Sequence, residues 1–417
     1  MSRCKEILIL VCCLFAAVGG GFLTAPSSLA ATYYVSTTGN DANPGTLAAP
    51  FRTVLTGVLA LRAGDILQIR GGTYPEALIG NIPPGLSWAA PVTVSAYPGE
   101  QVILRPNSGV SRVIEFDGEG DAYIIIKGLI LDGANVGYDV LKIGGDPGKG
   151  IAHHIRIQDT EIKNSPGPGI VVDGTLYSGF SSTPGCCNEF INNHVHHNGT
   201  TVNNQGFYVR SGYNLFELND VHDNKCSGID AFVSGGSQPN NNIIRRNKVY
   251  SNGLTNTKGG GILIGGLNGI VENNLVFGNR DYGIYVFGPN QRDHKVQNNT
   301  AYNNTMYGIW IDPASVNTLV ANNILYQNGI TAVNDQGVGT IQMNNLTVNP
   351  LFINPTLNDF RLQSNSPAIN RGITIQGLFV DIAGNQRGMD PYDIGAYEFQ
   401  SSTDTTPPSP PRILSIL

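Results

Sequence analysis

The stretch Asn247-Lys-Val-Tyr-Ser-Asn252 is followed by Asn274-Leu-Val-Phe-Gly-Asn279, and this recurring motif decides the fold of the chain. Its pattern, Asn-x-apolar-x-x-Asn, occurs six times between Asn193 and Asn328. The first Asn recurs at intervals of 24 to 28 residues. A fixed period in this range is the signature of a solenoid, in which each repeat forms one coil.

The residues between these motifs indicate coils made of strands. Apolar residues alternate in Gly261-Ile-Leu-Ile264 and Tyr282-Gly-Ile-Tyr-Val286, whereas a helical repeat would place them three and four residues apart. Asn suits a corner because it tolerates left-handed backbone. Its amide can also pair with the same position of the next coil. The sequence therefore predicts an all-β fold, a right-handed parallel β-helix.

Sequence blocks outside the repeats resemble those of known proteins. The repeats themselves are similar to those of pectate-lyase-like proteins. The order Tyr33-Tyr-Val-Ser36, Gly39-Asn-Asp41, Asn43-Pro-Gly-Thr46 and Gly71-Gly-Thr-Tyr74 resembles the start of secreted β-helix proteins, including family-nine polysaccharide lyases. The block that ends with Asp393-Ile-Gly-Ala-Tyr-Glu398 resembles the C-terminal part of many exported β-helix proteins. These resemblances imply a pectin-lyase-like solenoid.

The chain divides into five predicted segments. Residues 1–30 are expected to form a signal peptide, because Arg3 and Lys5 precede an apolar stretch and Ser28-Leu-Ala30 fits a cleavage site. An uncleaved anchor is the alternative. Residues 31–89 are predicted to form an N-terminal cap and first coil, 90–346 the β-helix repeats, 347–400 a C-terminal cap module and 401–417 a Pro-rich tail. We expect a secreted protein, extracellular or periplasmic, with no membrane association after signal cleavage.

The N-terminal cap is predicted to contain one amphipathic helix. Apolar residues fall at helical spacing over this stretch, at Phe51, Val54, Leu55, Val58 and Leu59. We expect this helix to cover the open end of the solenoid core.

Three cysteines are expected in the mature chain, Cys186, Cys187 and Cys226. Export permits a disulfide, and three thiols leave one unpaired. Cys226 precedes a Gly-Ile strand, one coil after the insert that carries the other two. We therefore expect one disulfide from Cys226 to one of that pair.

The charge of the chain limits its partners. Its net charge is −6 and only 13% of its residues are charged, which argues against a nucleic-acid partner because phosphate binding needs a basic surface. A local basic patch would still suffice for an acidic polysaccharide.

The resemblance to pectate-lyase-like proteins implies that the Gly-Ile strands form the sheet that carries the cleft. Equivalent residues on successive coils lie about 4.8 Å apart and form columns, and the residue after the inward Ile points outward. The first outward column is Glu115, Lys142, Val171, Tyr208, Asp230, Leu263, Tyr285 and Trp310. The second is Asp117, Gly144, Asp173, Arg210, Phe232, Gly265, Phe287 and Asp312. A charged end thus runs into an aromatic end.

This surface suits an acidic sugar polymer, because aromatic rings pack on sugar faces and charged groups hold carboxylates. The candidate substrate-binding residues are Tyr208, Lys225, Asp230, Lys258, Arg280, Tyr285 and Trp310, of which Lys225, Lys258 and Arg280 are predicted to form a basic edge. The alternative is structural: Glu115 with Lys142 and Asp173 with Arg210 would be ion pairs, and the aromatics would be stacked cross-coil pairs.

The resemblance to lyases implies proton abstraction beside a uronate carboxylate, followed by β-elimination. It implies a Lys or Arg base, for which Lys142 and Arg210 are the candidates. It also implies Ca²⁺ or basic side chains to hold the carboxylate, and Asp173 and Asp230 are the candidate Ca²⁺ ligands. The tight run of acidic residues that holds Ca²⁺ in family-nine lyases is not found in this sequence.

Two further clusters have competing interpretations. The column His196, His222, Tyr250, Phe277, Tyr302 and Tyr326 is predicted to be a stacking ladder, with a metal site as the alternative. The stretch Glu115-Phe-Asp-Gly-Glu-Gly-Asp121 could be a Ca²⁺ loop.

The favoured function is that of an exported β-helix protein that binds an acidic polysaccharide, and whether it also cleaves the polymer by β-elimination is left open by the sequence. One alternative is a non-catalytic surface or periplasmic protein for binding or adhesion. The other is a uronate epimerase, which shares the first proton abstraction. The fold alone does not choose among them, because one solenoid hosts all three.

Overall fold

The computed structural model describes residues 30–146, 148–174, 186–201, 203–232, 239–254, 259–388 and 391–400. The predicted signal peptide up to residue 29, the Pro-rich tail and Lys258 lie outside these residues. Within them, one α-helix (α1) spans Val54–Leu59 and one short 3-10 helix spans Pro355–Leu357.

The strands of the first half of the described chain are β1 Thr32–Val35, β2 Ile66–Ile69, β3 Gly72–Tyr74, β4 Leu78–Ile79, β5 Val92–Ala96, β6 Val102–Leu104, β7 Ile114–Phe116, β8 Ala122–Lys127, β9 Ile130–Asp132, β10 Leu141–Ile143, β11 His153–Gln158, β12 Glu161–Lys163, β13 Ile170–Val172, β14 Glu189–Ile191, β15 His194–His196, β16 Phe207–Val209 and β17 Leu215–Glu217.

The strands of the second half are β18 Asp220–His222, β19 Ile229–Ala231, β20 Ile243–Arg245, β21 Lys248–Tyr250, β22 Ile262–Ile264, β23 Ile270–Glu272, β24 Leu275–Phe277, β25 Tyr282–Val286, β26 Lys295–Gln297, β27 Thr300–Tyr302, β28 Tyr307–Ile311, β29 Leu319–Ala321, β30 Ile324–Tyr326, β31 Thr331–Asp335, β32 Ile341–Met343, β33 Phe352–Asn354 and β34 Asp359–Leu362.

Strands β1 to β32 form three long parallel sheets, because every third strand pairs with its counterpart one coil away, and β33 and β34 form a separate antiparallel pair. Sheet 1 has twelve strands and runs from β1 through β2, β5 and β8 to β32. Sheet 2 has ten strands and contains the Gly-Ile strands, from β4 to β31, and sheet 3 has ten strands from β3 to β30. The predicted right-handed parallel β-helix is confirmed.

The core fills the inside of the coils. Inward residues of the three sheets form one cluster of buried apolar side chains that extends from Val35 to Leu325. One layer is aromatic: Phe190 stacks on Phe216 with ring centroids 4.9 Å apart, and both contact Phe207 edge to face at 5.3 Å. Such close packing fixes which residue of each strand points outward.

Buried Asn side chains stack at the corners, as predicted. One ladder follows sheet 1 from Asn193 to Asn345, and each Nδ2 donates to the Oδ1 of the next coil at 2.9–3.0 Å. A second ladder follows sheet 3 from Asn198 to Asn328. The sequence analysis missed a third ladder at the corner before sheet 1, formed by Asn188, Asn214 and Asn242.

The left-handed backbone at these corners belongs to a different residue from the one predicted. Positive φ angles occur at the residue before each ladder Asn, for example at Leu218 (61°) and Arg246 (57°), and not at the ladder Asn itself. A sharp corner therefore accepts several residue types, whereas the following position requires an amide. Asn is selected here because its amide both donates and accepts between coils.

The predicted N-terminal helix is present but short. Thr53 caps it by accepting a hydrogen bond from the backbone N–H of Thr56. Val54 and Val58 are fully buried, whereas Leu55 and Leu59 are 38% and 62% exposed. Only one side of the predicted apolar face therefore contacts the core.

Residues after β32 pack beside the solenoid. Phe352 and Phe360 join a small apolar cluster with Phe277 and Ile324 on the outward face of sheet 3. The buried guanidinium of Arg387 donates to Oδ1 of Asn273, at a corner of the coils, and to Glu398 at 2.9 Å. This segment is therefore held by specific contacts along the side of the stack.

The predicted disulfide partner of Cys226 is wrong. Cys186 and Cys187 bond to each other, and Cys226 is buried as a free thiol. Sequence position indicated which cysteines share a region but not that two adjacent residues would pair.

Among the described residues, no helix is long and apolar enough to cross a membrane.

Candidate functional site

The outward face of sheet 2 has the predicted register. The Cα partners run from Glu115 to Lys142, Val171, Tyr208 and Asp230, and continue to Leu263, Tyr285 and Trp310. Neighbouring members of this column are thus one strand spacing apart. The structure brings the predicted site residues of this column onto one face of sheet 2, where Asp230 and Tyr285 are buried and Tyr208 and Trp310 are partly exposed.

The charged end of the column is an ion-pair network. Lys142 Nζ lies 3.2 Å from a carboxylate oxygen of Glu115, and Arg112 donates to the other oxygen at 3.1 Å. Arg112 also bonds Asp139, whose pKa burial raises to about 6 although Arg112 opposes the shift. The charge of Lys142 is therefore compensated by a partner one coil away. Arg112 and Asp139 were missed because each lies two residues before a strand of sheet 2, outside the predicted columns.

Arg210 also forms an ion pair, and its partner is Asp173, as the structural interpretation of this face predicts. Its Nη2 donates to Oδ2 of Asp173 at 2.6 Å, and its guanidinium lies 5.5 Å from the ring centroid of Tyr208. The side chains of Arg210 and Asp173 are 16% and 13% exposed. This pair is partly shielded from water, which strengthens the ionic contact compared with a surface pair.

Asp230 has a different environment from the other acidic residues of this surface. It is 7% exposed, and its Oδ2 accepts a hydrogen bond from Nε2 of Gln205 at 3.1 Å, while its Oδ1 is buried with no hydrogen-bond partner. Burial raises the pKa of Asp230 to about 7, and Gln205 only partly offsets that shift. A carboxyl group that titrates near neutral pH is suited to proton transfer.

The environment of Asp230 also contains Cys226 and Ser227, which lie just before the same strand, and Tyr282, which lies two coils further on. Ser227 Oγ and the hydroxyl of Tyr282 lie 3.0 Å apart. Both side chains are buried, as is Cys226. Gln205 and Ser227 were not predicted, because both precede a Gly-Ile strand and so fall outside its two outward columns.

The aromatic end is a stacked cluster. The rings of Tyr285 and Trp310 lie 4.0 Å apart with an interplanar angle of 12°, and the Tyr285 hydroxyl donates to Asp312 at 3.1 Å. Phe232 and Phe287 stack at 5.6 Å. The predicted cross-coil stacking is confirmed. Trp310 remains partly exposed, and its indole Nε1 is buried without a partner.

The predicted basic edge is only partly within the described residues. Lys225 and Arg280 each directly follow a ladder Asn, and Gly253 occupies the equivalent position on the coil between them. The two cations are therefore two coils apart, roughly 9–10 Å along the stack. Lys258 lies outside the described residues, so its place on this edge is a prediction.

The candidate Ca²⁺ ligands do not converge. Asp173 belongs to the coil of β13 and Asp230 to that of β19, with β16 between them. Asp173 is already bonded to Arg210. Within the described chain, the group of ligating side chains close enough for a metal lies on sheet 3 and consists of Glu161, His194 and His196. In the acidic stretch 115–121, which the sequence offers as a Ca²⁺ loop, Asp117 forms an ion pair with Lys149 at 2.6 Å.

A family model and several solved structures match this architecture. A family model described as "Pel9A-like, right handed beta helix region" matches residues 33–344. The crystal structure of pectate lyase Pel9A superposes with a TM-score of 0.67 at 20% identity, covering 89% of this chain and 97% of that one. A GH136 lacto-N-biosidase from Eubacterium ramulus is similar with a TM-score of 0.53 at 13% identity, covering 76% and 68%. Identities this low establish the fold alone.

Sequence relatives match shorter stretches. "Pectate lyase PEL9" of Emericella nidulans is 38% identical over 79 residues, which is 19% of either chain. The uncharacterized protein YwoF of Bacillus subtilis is 30% identical over 135 residues, 31% of this chain and 28% of that protein. The matched part is thus less than a third of either relative.

Proposed function

The chain belongs to the Pel9A-like right-handed β-helix family, and on that premise we propose that it binds an acidic polysaccharide along the outward face of sheet 2. The observation that carries this proposal is the arrangement of that face, where partly buried ion pairs continue into an aromatic cluster across the two outward columns. A sugar polymer offers carboxylates to the first part and apolar ring faces to the second. Two relatives named pectate lyases are consistent with a uronate polymer.

Binding is favoured over cleavage by the state of the candidate bases. Lys142 and Arg210 are both bonded to carboxylates, so either must leave its partner before it can reach a substrate proton. A uronate carboxylate can instead share these cations, as a charge-assisted contact. The predicted export fits a polysaccharide partner, which a cell meets outside its membrane.

Calcium is not part of this proposal. Ca²⁺ takes about six to eight oxygen ligands, and Asp173 and Asp230 are separated by a coil. One of them is engaged by Arg210, and the other lies in a site that favours its protonated form. These residues do not fit the ion, and we route no step through it.

The binding test compares Arg210→Ala with a matched control. Retardation in gels that contain pectate, alginate or a glycosaminoglycan should fall, with an affinity loss of roughly 1.5–3 kcal/mol from a lost charge-assisted contact. Added salt should weaken wild-type binding. Arg245→Ala is the control, because Arg245 is paired with Glu217 at 2.9 Å with similar exposure but on sheet 1. Equal retardation of the two variants would contradict the proposal.

Cleavage by β-elimination is the second candidate, favoured by the carboxyl group of Asp230. In this reaction a base removes the proton beside the uronate carboxylate, and the 4-linked sugar leaves with formation of a double bond. Lys142 or Arg210 remains the proposed base, and Asp230 can receive or supply a proton near neutral pH. Ultraviolet absorbance of the unsaturated product would detect it. Absorbance that survives both Lys142→Met and Asp230→Asn would contradict these roles, and inversion at the same carbon without elimination would indicate an epimerase.

A further inference from the structure

A cluster of histidines lies on the outward face of sheet 3, apart from the proposed polysaccharide surface. It draws on three neighbouring strands: Glu161 from β12, His194 and His196 from β15, and His222 from β18. Glu161 is the Cα partner of His194, and His196 is the Cα partner of His222. The register of the solenoid therefore brings one carboxylate and three imidazoles together.

The same residues begin the stacking ladder that the sequence predicts. The rings of His196 and His222 are 5.2 Å apart and nearly parallel, at 5°. Tyr250 continues the stack at 4.7 Å from His222, and Phe277 follows at 4.9 Å from Tyr250. Stacking explains the aromatic end of this column. Stacking does not explain why the part of the column before Tyr250 consists of imidazoles, His196 and His222, with a carboxylate beside them.

The ligand atoms of the cluster are already close. One ligand atom each of Glu161, His194 and His196 lies within 4.8 Å of the other two. Nε2 of His196 is 3.1 Å from Oε1 of Glu161, and Nε2 of His194 is 2.6 Å from Nε2 of His222. Ligands of a tetrahedral Zn²⁺ site with metal–nitrogen bonds of about 2.0–2.1 Å are roughly 3.3 Å apart. Glu161, His194 and His196 are thus near that spacing, and His222 joins them through its contact with His194.

Hydrogen bonds at the far nitrogens orient two of the imidazoles. Nδ1 of His222 lies 2.8 Å from Oδ2 of Asp223, so a neutral His222 donates from Nδ1 and keeps Nε2 as an acceptor. Nδ1 of His196 lies 2.6 Å from Nδ1 of His197. A carboxylate on the far nitrogen of a ligating histidine is the usual arrangement around protein-bound metals.

Burial opposes a positive charge on two of the three imidazoles, those of His194 and His196. Burial and the neighbouring His194 lower the pKa of His196 to about 4, and burial and His222 lower the pKa of His194. Neutral imidazole is the form that ligates metals. Lys163 Nζ lies 2.5 Å from Oε1 of Glu161 and so holds the carboxylate that a cation would take.

We propose that Glu161, His194, His196 and His222 form a binding site for a divalent cation that prefers nitrogen ligands, such as Zn²⁺ or Ni²⁺. Three imidazoles and one carboxylate suit these ions and not Ca²⁺, which prefers oxygen. The site is separate from the proposed function, because its ligands come from sheet 3 and the polysaccharide surface from sheet 2.

The test uses the mature chain without a histidine tag, freed of metal by a chelator. Equilibrium dialysis with Zn²⁺ should give about one ion per chain, and Co²⁺ should give the visible absorption of a tetrahedral site. The variant His194→Ala/His196→Ala should lose at least about tenfold in affinity. The control is His154→Ala, because His154 also lies beside another histidine, with the Nδ1 atoms of the pair 2.7 Å apart, but on sheet 1.

A second variant predicts the opposite sign. Lys163→Met removes the cation that competes for Glu161, so Zn²⁺ affinity should rise several-fold. Unchanged or weaker affinity would remove Glu161 from the ligand set and overturn the site as built. Uptake that is substoichiometric, or equal in wild type and the double histidine variant, would overturn the proposal altogether.

Discussion

Replacing Asn247 with Ala removes one rung from the middle of the longest Asn ladder. The side chain is fully buried at the corner between sheets 1 and 3. Its Oδ1 accepts from the backbone N–H and from Nδ2 of Asn219, both at 2.9 Å. Its Nδ2 donates to the carbonyl oxygens of Phe216 and Arg245 and to Oδ1 of Asn274, at 2.9–3.0 Å.

The size of the effect follows from the groups that lose a partner. The backbone N–H of Asn219 is left unsatisfied in a buried site, at a cost of about 1–3 kcal/mol. The other bonds belong to groups that keep a second partner: Nδ2 of Asn219 still donates to Phe190, and Oδ1 of Asn274 still accepts from the backbone of residue 247. We assign these about 1 kcal/mol together. The free energy of unfolding should therefore fall by about 2–4 kcal/mol.

Urea unfolding followed by circular dichroism measures this change. Asn365→Ala is the control, because Asn365 is exposed and should shift stability by less than about 0.5 kcal/mol. Polysaccharide binding should be unchanged in both variants, since neither residue contributes to sheet 2. If Asn247→Ala is no more destabilising than the control, the ladder does not stabilise the coils and the reasoning fails.

Three further predictions concern other parts of the chain. Trp310→Ala should weaken polysaccharide binding with little change in its salt dependence, because stacking is not ionic, and a parallel loss of salt dependence would contradict this. Burial raises the pKa of Asp230 to about 7, so the folded protein keeps a proton that the unfolded chain releases above about pH 4. The contribution of this carboxyl group to folding stability is therefore complete below about pH 4 and is lost as pH rises to about 7. Asp230→Asn should therefore gain stability relative to wild type as pH rises from about 4 to 7. A pH-independent difference in urea midpoints would exclude a desolvated carboxyl. Peptide mapping of unreduced protein should find Cys186 and Cys187 oxidised within one peptide and Cys226 as a thiol reactive only after denaturation, whereas a linkage to Cys226 would refute the observed pairing.

The fold was predictable because it is repeated. Each coil obeys the same constraint, so the period and the outward columns could be read from many copies of one motif. The sequence analysis gave two reasons for the Asn ladders. Pairing of the amides between coils was right, and left-handed backbone at the ladder Asn was wrong. Left-handed backbone occurs at the preceding residue, where Leu218 and Arg246 carry no signal of it.

The site was less predictable because its chemistry depends on residues outside the repeat. Arg112 compensates Glu115 and Gln205 contacts Asp230, and each lies two residues before a strand of sheet 2. Columns predict which residues lie side by side, but not which partner neutralises a charge or how far a carboxyl is removed from water. The pairing of Cys186 with Cys187 also depends on local backbone geometry that spacing does not reveal.

The column of sheet 3 that runs from His196 to Tyr326 has an imidazole part and an aromatic part, and the two parts contact different neighbours. At Phe277 and Tyr302 its rings contact Phe360, from the segment that packs beside the solenoid. At His196 and His222 the same column lies next to Glu161 and Asp223 instead. An aromatic ring suits the part that contacts Phe360 because it buries apolar area, and an imidazole suits the part beside Glu161 and Asp223 because it keeps a polar atom for these partners or for a ligand. Coils of a solenoid interact mainly with their neighbours, so variants at His194 should change metal uptake without changing binding at Trp310, and the effects of combining them should add.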